Sequence, residues 1–180
     1  MIIQRQIRPE DFYGEKRQLC DKCIIVFSGQ IFDYMLKTYA HEQAGTIKCC
    51  NGITKVYVFE IDNMKIAAYL SHIGSAMAGS DVIDANWLTG ASRFIMFGSA
   101  GSLDRDKTTG KFVILTESYR KEGMSYHYAK PSNYIKIVKK RIEGGANEKA
   151  VLRLFINCPF VCINFDFFWL NKARQLYMDF

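Results

Sequence analysis

Three apolar runs, each closing on glycine, set the tightest limit on what this chain can fold into. They are "CIIVFSG" at 23–29, "MKIAAYLSHIG" at 64–74 and "SRFIMFGSAGSL" at 92–103, the last turning into a glycine-serine loop. Short unbroken runs of this kind suit strands covered on both faces, as in a parallel sheet. If the three lie parallel, their glycine ends converge on one edge. Between the first two, "QIFDYMLKTYAHE" sets Ile31, Tyr34, Met35 and Thr38 at helical spacing. The run "TKVYVFEI" joins "MKIAAYLSHIG" through Asp62-Asn63, which predicts a hairpin turn. The stretch "SAMAGSDVIDANWLTGA" predicts a helix with Ala76, Val82, Ile83 and Trp87 inward and Gly90 as its stop. A further strand, "GKFVILTES", leads into a loop rich in polar aromatics, "YRKEGMSYHYAKPSNYI". Such alternation of strands and helices predicts an α/β layered domain with a mixed central sheet.

At 180 residues the chain has room for one domain with a core of its own. Residues 1–22 are polar and charged and read as an N-terminal arm, 23–137 as the domain, and 138–180 as a divergent, aromatic-rich tail. The net charge of +6 favours anionic partners. The basic residues are scattered, and the cluster Lys136, Lys139, Lys140 and Arg141 reads as a solvated helix face. No nucleic-acid motif accompanies the charge, so nucleic acid is not expected as a partner. Cys20-Asp-Lys-Cys23 has the spacing of half a zinc site, but Cys49 and Cys50 are adjacent and Cys158 and Cys162 have no histidine pair, so no metal is expected. Charge begins at Arg5, which predicts no secretory leader, and the apolar stretch 155–170 is too short and too polar to span a bilayer. A cytoplasmic chain with reduced thiols and no membrane partner is the expectation.

In open α/β sheets ligands bind beyond the carboxyl ends of the strands, where glycine lets backbone N–H groups approach an anion. Gly98-Ser99-Ala100-Gly101-Ser102 fits that role, with two hydroxyls among its amides, and it fits a tight turn of small residues equally well. It has neither the Gly-Lys-Ser/Thr of a Walker loop nor G-x-G-x-x-G spacing.

Taken together, the strand ends "FSG" and "SHIG" and the pieces "GSAGSL" and "EGMSYHY" resemble the nucleoside phosphorylase family of purine-nucleoside and uridine phosphorylases, most nearly its bacterial uridine-phosphorylase-like branch. The resemblance implies a three-layer α/β/α sandwich, here incomplete at its C-terminal end. It also implies phosphorolysis of a nucleoside, here a pyrimidine nucleoside, to free base and pentose 1-phosphate in nucleoside salvage, and assembly into a homo-oligomer. Inorganic phosphate is the co-substrate and no cofactor is needed. Because charge develops on sugar and base in the transition state, stabilisation is electrostatic and no protein nucleophile is assigned. By motif, Gly29 and Ser99 fall at the phosphate, and Gly74, Ala100 and Gly101 beside the nucleoside. Arg120 reaches phosphate or pairs with Glu117 or Glu122; His127 meets a ribose hydroxyl or structures its loop.

Departures from the pattern carry weight. Met96 stands where family members place an arginine toward phosphate, and Gln30-Ile31-Phe32-Asp33 follows Gly29 where many carry another. Arg93 precedes a buried strand and is a poor substitute; His41 reads as solvated and His72 as a satisfied core residue. From about Val138 the resemblance fades, without the base-stacking segment or the Met-Glu pair that holds the ribose. A Phe-, Ile- and Asn-rich end suggests a truncated or frameshifted member. The alternative to an enzyme is therefore an inactive family member acting as a binding or oligomer-partner module.

Overall fold

Among the described residues, strand β1 (Lys22–Val26) lies inside a five-stranded sheet, with strands from much later in the chain on either side. The computed structural model describes residues 8–50, 52–98, 117–127 and 129–136. Within them α1 (Pro9–Tyr13) precedes β1, and α2 (Gly29–Thr38) follows it. Next come β2 (His41–Cys49), β3 (Gly52–Ile61), β4 (Met64–Leu70), α3 (Ser75–Thr89) and β5 (Arg93–Phe97). A small second sheet pairs β6 (Glu117–Tyr119) with β7 (Tyr134–Lys136) around a 3-10 turn, Met124–His127.

The large sheet runs β2-β3-β4-β1-β5. β1 is parallel to β4, from Lys22↔Ile66 to Val26↔Leu70, and to β5, from Lys22↔Arg93 to Val26↔Phe97. β2, β3 and β4 form an antiparallel meander. The sheet is thus mixed. Its β3–β4 turn places Asp62 at φ 50° and Asn63 at φ 61°, the paired positive angles a two-residue hairpin favours.

Side-chain alternation splits β1 between two cores. Cys23 and Ile25 face one cluster with Val56, Ala67, Tyr69 and the α3 residues Val82, Ala85 and Leu88. Ile24 and Val26 face the other, with Phe59, Ile66, Phe97 and the α2 residues Ile31, Phe32 and Met35. Helices therefore cover both faces, giving the three-layer α/β/α arrangement, with β1 buried on both sides. Each fully buried aliphatic side chain contributes about 1.5–3 kcal/mol.

Three local expectations are revised. α2 ends at Thr38, and His41, instead of closing a helix, opens β2, an edge strand not evident in the sequence. Tyr34 is exposed, and Phe32 takes the inward position. On α3 the buried face is Ala78, Asp81, Val82, Ala85, Leu88 and Thr89, so Ala76, Ile83 and Trp87 do not belong to it, while Gly90 does stop the helix, at φ 80°.

The arm lies along α3. Trp87 Nε1 donates to the Gly14 carbonyl at 2.8 Å, Lys16 Nζ to Asn86 at 2.7 Å, and the Leu19 amide to the Thr89 carbonyl at 2.7 Å. Among the described residues no helix is long and apolar enough to cross a membrane. The tail at 138–180 lies outside the described residues.

Candidate functional site

The three parallel strands deliver their carboxyl ends to one edge, as the glycine endings predict. The Phe27 amide donates to the Phe97 carbonyl at 3.2 Å, and the Ser71 amide to the Val26 carbonyl at 2.8 Å, so the three exits are tied together. Beyond β1, Gly29 begins α2; beyond β4, Gly74 caps α3; beyond β5 lies Gly98. Among the described residues, a Cβ at Gly29 or Gly74 would meet nothing within 4 Å. Gly74 has φ 105°, which only glycine adopts readily. Neither Ser28 nor Gly74 supplies a side-chain cap, so first-turn N–H groups of two helices are presented at this edge. Such groups suit a carboxylate, a phosphate or an electron-rich oxygen.

Ser99, Ala100 and Gly101 lie outside the described residues, as does the rest of 99–116. Gly98, the last described residue of the loop, is buried against Phe27.

The loop between β6 and β7 leans on the start of α3. A Cβ on Gly79 would lie 3.1 Å from Met124 Cε. Burial alone would raise the Glu122 carboxyl. Hydrogen bonds from the Ser125 side chain and amide, the Met124 amide and the Ser75 hydroxyl outweigh it and hold the group below the usual carboxylate range. Glu122 thus ties this loop to the first residue of α3.

Arg120 is buried within the same loop. Nε donates to Ser125 Oγ at 2.9 Å, and one terminal nitrogen to the Lys130 carbonyl at 2.6 Å and Ser132 Oγ at 3.2 Å. The other donates to the Ala129 carbonyl at 3.3 Å, and the guanidinium stacks 4.1 Å from the centre of the Tyr126 ring. These partners, instead of Glu117 or Glu122, occupy its donors, and a phosphate would compete with them. His127 is exposed at the end of the 3-10 turn. Met96 packs its side chain against the α3-side core, and Arg93, at the far end of β5, pairs with Asp21.

His72, expected as a satisfied core residue, lies at the edge where the parallel strands end and has polar company. Its amide donates to Asp81 Oδ2 at 3.2 Å and its ring Nδ1 lies 3.0 Å from the same oxygen. Its Nε2 lies 3.5 Å from Cys49 Sγ, at the end of β2. Because β3 runs antiparallel to β4, the turn between β2 and β3 comes out at the same edge as the strand exits. The partnership of Asp81 with His72 was not legible in the sequence, since Asp81 falls inside an apolar helix pattern. Cys20 and Cys23, by contrast, are buried and burial pushes both thiols up. Among the described residues no group of His, Cys, Asp or Glu is placed to hold a metal ion.

A family model described as the phosphorylase superfamily matches residues 21–176. The match continues through the segment beyond Val138 that reads as foreign to the fold. No curated protein matches the chain. Among solved structures, a Streptococcus pneumoniae MTA/SAH nucleosidase superposes with a TM-score of 0.53 at 14% identity, covering 87% of this chain and 80% of that one. Futalosine hydrolase of Helicobacter pylori gives 0.53 at 10% identity, covering 89% and 80%. A Campylobacter jejuni 5′-methylthioadenosine/S-adenosyl homocysteine nucleosidase gives 0.52 at 13% identity, covering 88% and 70%. At these identities the likeness is one of fold.

Proposed function

The chain belongs to the phosphorylase superfamily, and on that premise we propose that it cleaves the N-glycosidic bond of a nucleoside at the edge where β1, β4 and β5 end. The observation that carries this reading is the pair of helix starts at Gly29 and Gly74, neither with a side-chain cap of its own, beside the β5 exit. In the reaction the carbon–nitrogen bond breaks with its electron pair going to the base. The sugar gains positive charge, and an oxygen nucleophile adds at the anomeric carbon. Amides of α2 from Gly29 onward, with the Ser99 hydroxyl, receive the nucleophile. Gly74, Ala100 and Gly101 leave room for the nucleoside, and His127 meets a ribose hydroxyl. Arg120 then serves by fixing the loop that carries His127.

The nucleophile is phosphate in the first reading, with a pyrimidine nucleoside as substrate. Water is favoured in the second by two observations. Met96 puts a thioether into an apolar cluster where family members place an arginine, and the Arg120 guanidinium is engaged by its own loop. Loss of a guanidinium partner costs a bound dianion roughly 1.5–3 kcal/mol per charge-assisted bond. Nucleosidases and a hydrolase among the similar folds support the same reading.

Base release from uridine, thymidine, inosine, adenosine and 5′-methylthioadenosine, each with and without phosphate, tests both. Phosphate-dependent release with pentose 1-phosphate as product establishes phosphorolysis; phosphate-independent release with free sugar establishes hydrolysis. No release above a Ser99→Asp control, from folded chain that still binds nucleoside, supports the inactive binding module instead.

Assembly into a homo-oligomer belongs to the same proposal. Ile73 is 90% exposed and Ile53 68% exposed, both at this edge, and shielding them is a reason to self-associate. Analytical ultracentrifugation is expected to give a mass above 20.7 kDa, and an Ile73→Asp chain is expected to shift toward that monomer value.

A further inference from the structure

We propose that Cys49 is an activated nucleophilic thiol, with His72 as its base and Asp81 as the residue that positions the base. Cys49 Sγ lies 3.5 Å from His72 Nε2, and Asp81 Oδ2 lies 3.0 Å from His72 Nδ1. Asp81 is 1% exposed, and the same oxygen also accepts the His72 amide at 3.2 Å, so ring and backbone are held by one buried carboxylate. In the tautomer in which Nδ1–H donates to Asp81, the Nε2 lone pair faces the sulfur. Nucleophile, base and orienting acid then stand in the order that activated thiols and hydroxyls require.

Cys49 and Asp81 meet the two different nitrogens of the His72 ring, which is the geometry of a proton relay and not of a cation cage. Gly52 supplies the competing acceptor, its carbonyl 3.2 Å from Sγ. Cys49 is partly exposed and the His72 side chain is 21% exposed. None of the roles proposed for glycosidic cleavage uses Cys49.

The ligand class is a small uncharged carbon electrophile bearing a leaving group. In the step, sulfur forms a bond to carbon, the carbon–leaving-group bond breaks with its electrons, and the thiol proton passes to His72 Nε2 and on to solvent. The chain contains its own controls. Cys50 is the next residue and more exposed, while Cys20 and Cys23 are buried and react only when the fold opens.

Limiting iodoacetamide is added to the reduced full-length chain at pH 7, and carbamidomethylation at each cysteine is followed by fragment mass spectrometry. Cys49 is expected to react at least about tenfold faster than Cys50 in the native chain, and at a similar rate in denaturing urea. His72→Gln is expected to bring Cys49 down to the rate of Cys50, and Asp81→Asn to lower it in part. Protection of Cys20 and Cys23 reports whether each variant is folded, and the native-to-urea comparison on the unmutated chain decides the matter if a variant is not. A native Cys49 no faster than Cys50, or an undiminished advantage in folded His72→Gln, overturns the proposal.

Discussion

Asp81 and Asp84 sit one turn apart on α3 in different surroundings. Asp81 is buried and holds the His72 amide and ring; Asp84 is half-buried and accepts the Tyr13 hydroxyl. Burial raises Asp84 from 3.8 to about 6, the Tyr13 bond opposes this, and the charge of Asp81 adds to it. Tyr13 in turn is pushed up to about 12, by burial first and by the Asp84 charge next. A carboxyl with a raised folded pKa holds its proton more tightly folded than unfolded. Its contribution is therefore intact below 3.8 and is lost as pH rises through about 6. Asp84→Asn is expected to gain on the parent chain across that window, by on the order of 1 kcal/mol after solvent screening. Urea midpoints measured at pH 4 and pH 7.5 check this. Tyr69 poses a simpler case: its buried hydroxyl has no hydrogen-bond partner among the described residues. Tyr69→Phe is accordingly expected to leave the urea midpoint unchanged or raise stability by up to about 1 kcal/mol. A clear loss would show that the hydroxyl has a partner such as a buried water.

At the scale of single elements, the end of α3 is the most constrained point. Gly90 caps the helix at φ 80°, and a Cβ there would lie 2.7 Å from the Arg17 carbonyl oxygen, which is backbone and yields little. Gly90→Ala is expected to cost about 2 kcal/mol, combining left-handed strain with displacement of the arm. Thermal unfolding measures the loss, and quenched Trp87 fluorescence reports the arm lifting from the helix. This stop was legible in the sequence because glycine after an apolar helix has one common use. The inward face of α3 was legible only in part, since Asp81 interrupts the apolar stripe and Ile83 and Trp87 offered a false one. β2 was not legible at all: His41, Glu42, Gln43 and Lys48 give an edge strand a polar surface that masks its period. Polar edges are what keep such a strand from pairing with another chain, so its illegibility has a physical cause.

For the whole molecule, the α/β class and the shared edge of the parallel strand ends followed from three runs that shared one ending. Their neighbours in space did not follow, because a parallel register is set by tertiary packing and leaves no turn signature. Glycines marked where the strands end, at Gly29, Gly74 and Gly98, whereas the Cys49–His72–Asp81 line joins residues from three parts of the chain that only the folded sheet brings together. Hydrogen exchange is expected to be slowest in β1, covered on both faces and paired along both sides, and fastest in β2 at the sheet's edge. Equal protection of the two would mean that β2 is sheltered by further chain or by another copy.

The position of β1 has a consequence for how the chain is made. During synthesis its five residues emerge early, yet their partners at 66–70 and 93–97 emerge much later. The β2–β3–β4 meander can close on local contacts alone, while β1 must find β4 across it and then admit β5 on its other side. Until residue 97 clears the ribosome, the apolar β1 is a nascent segment with a free flank. Translation pauses or holdase chaperones acting before that residue will therefore govern how much chain reaches the native state.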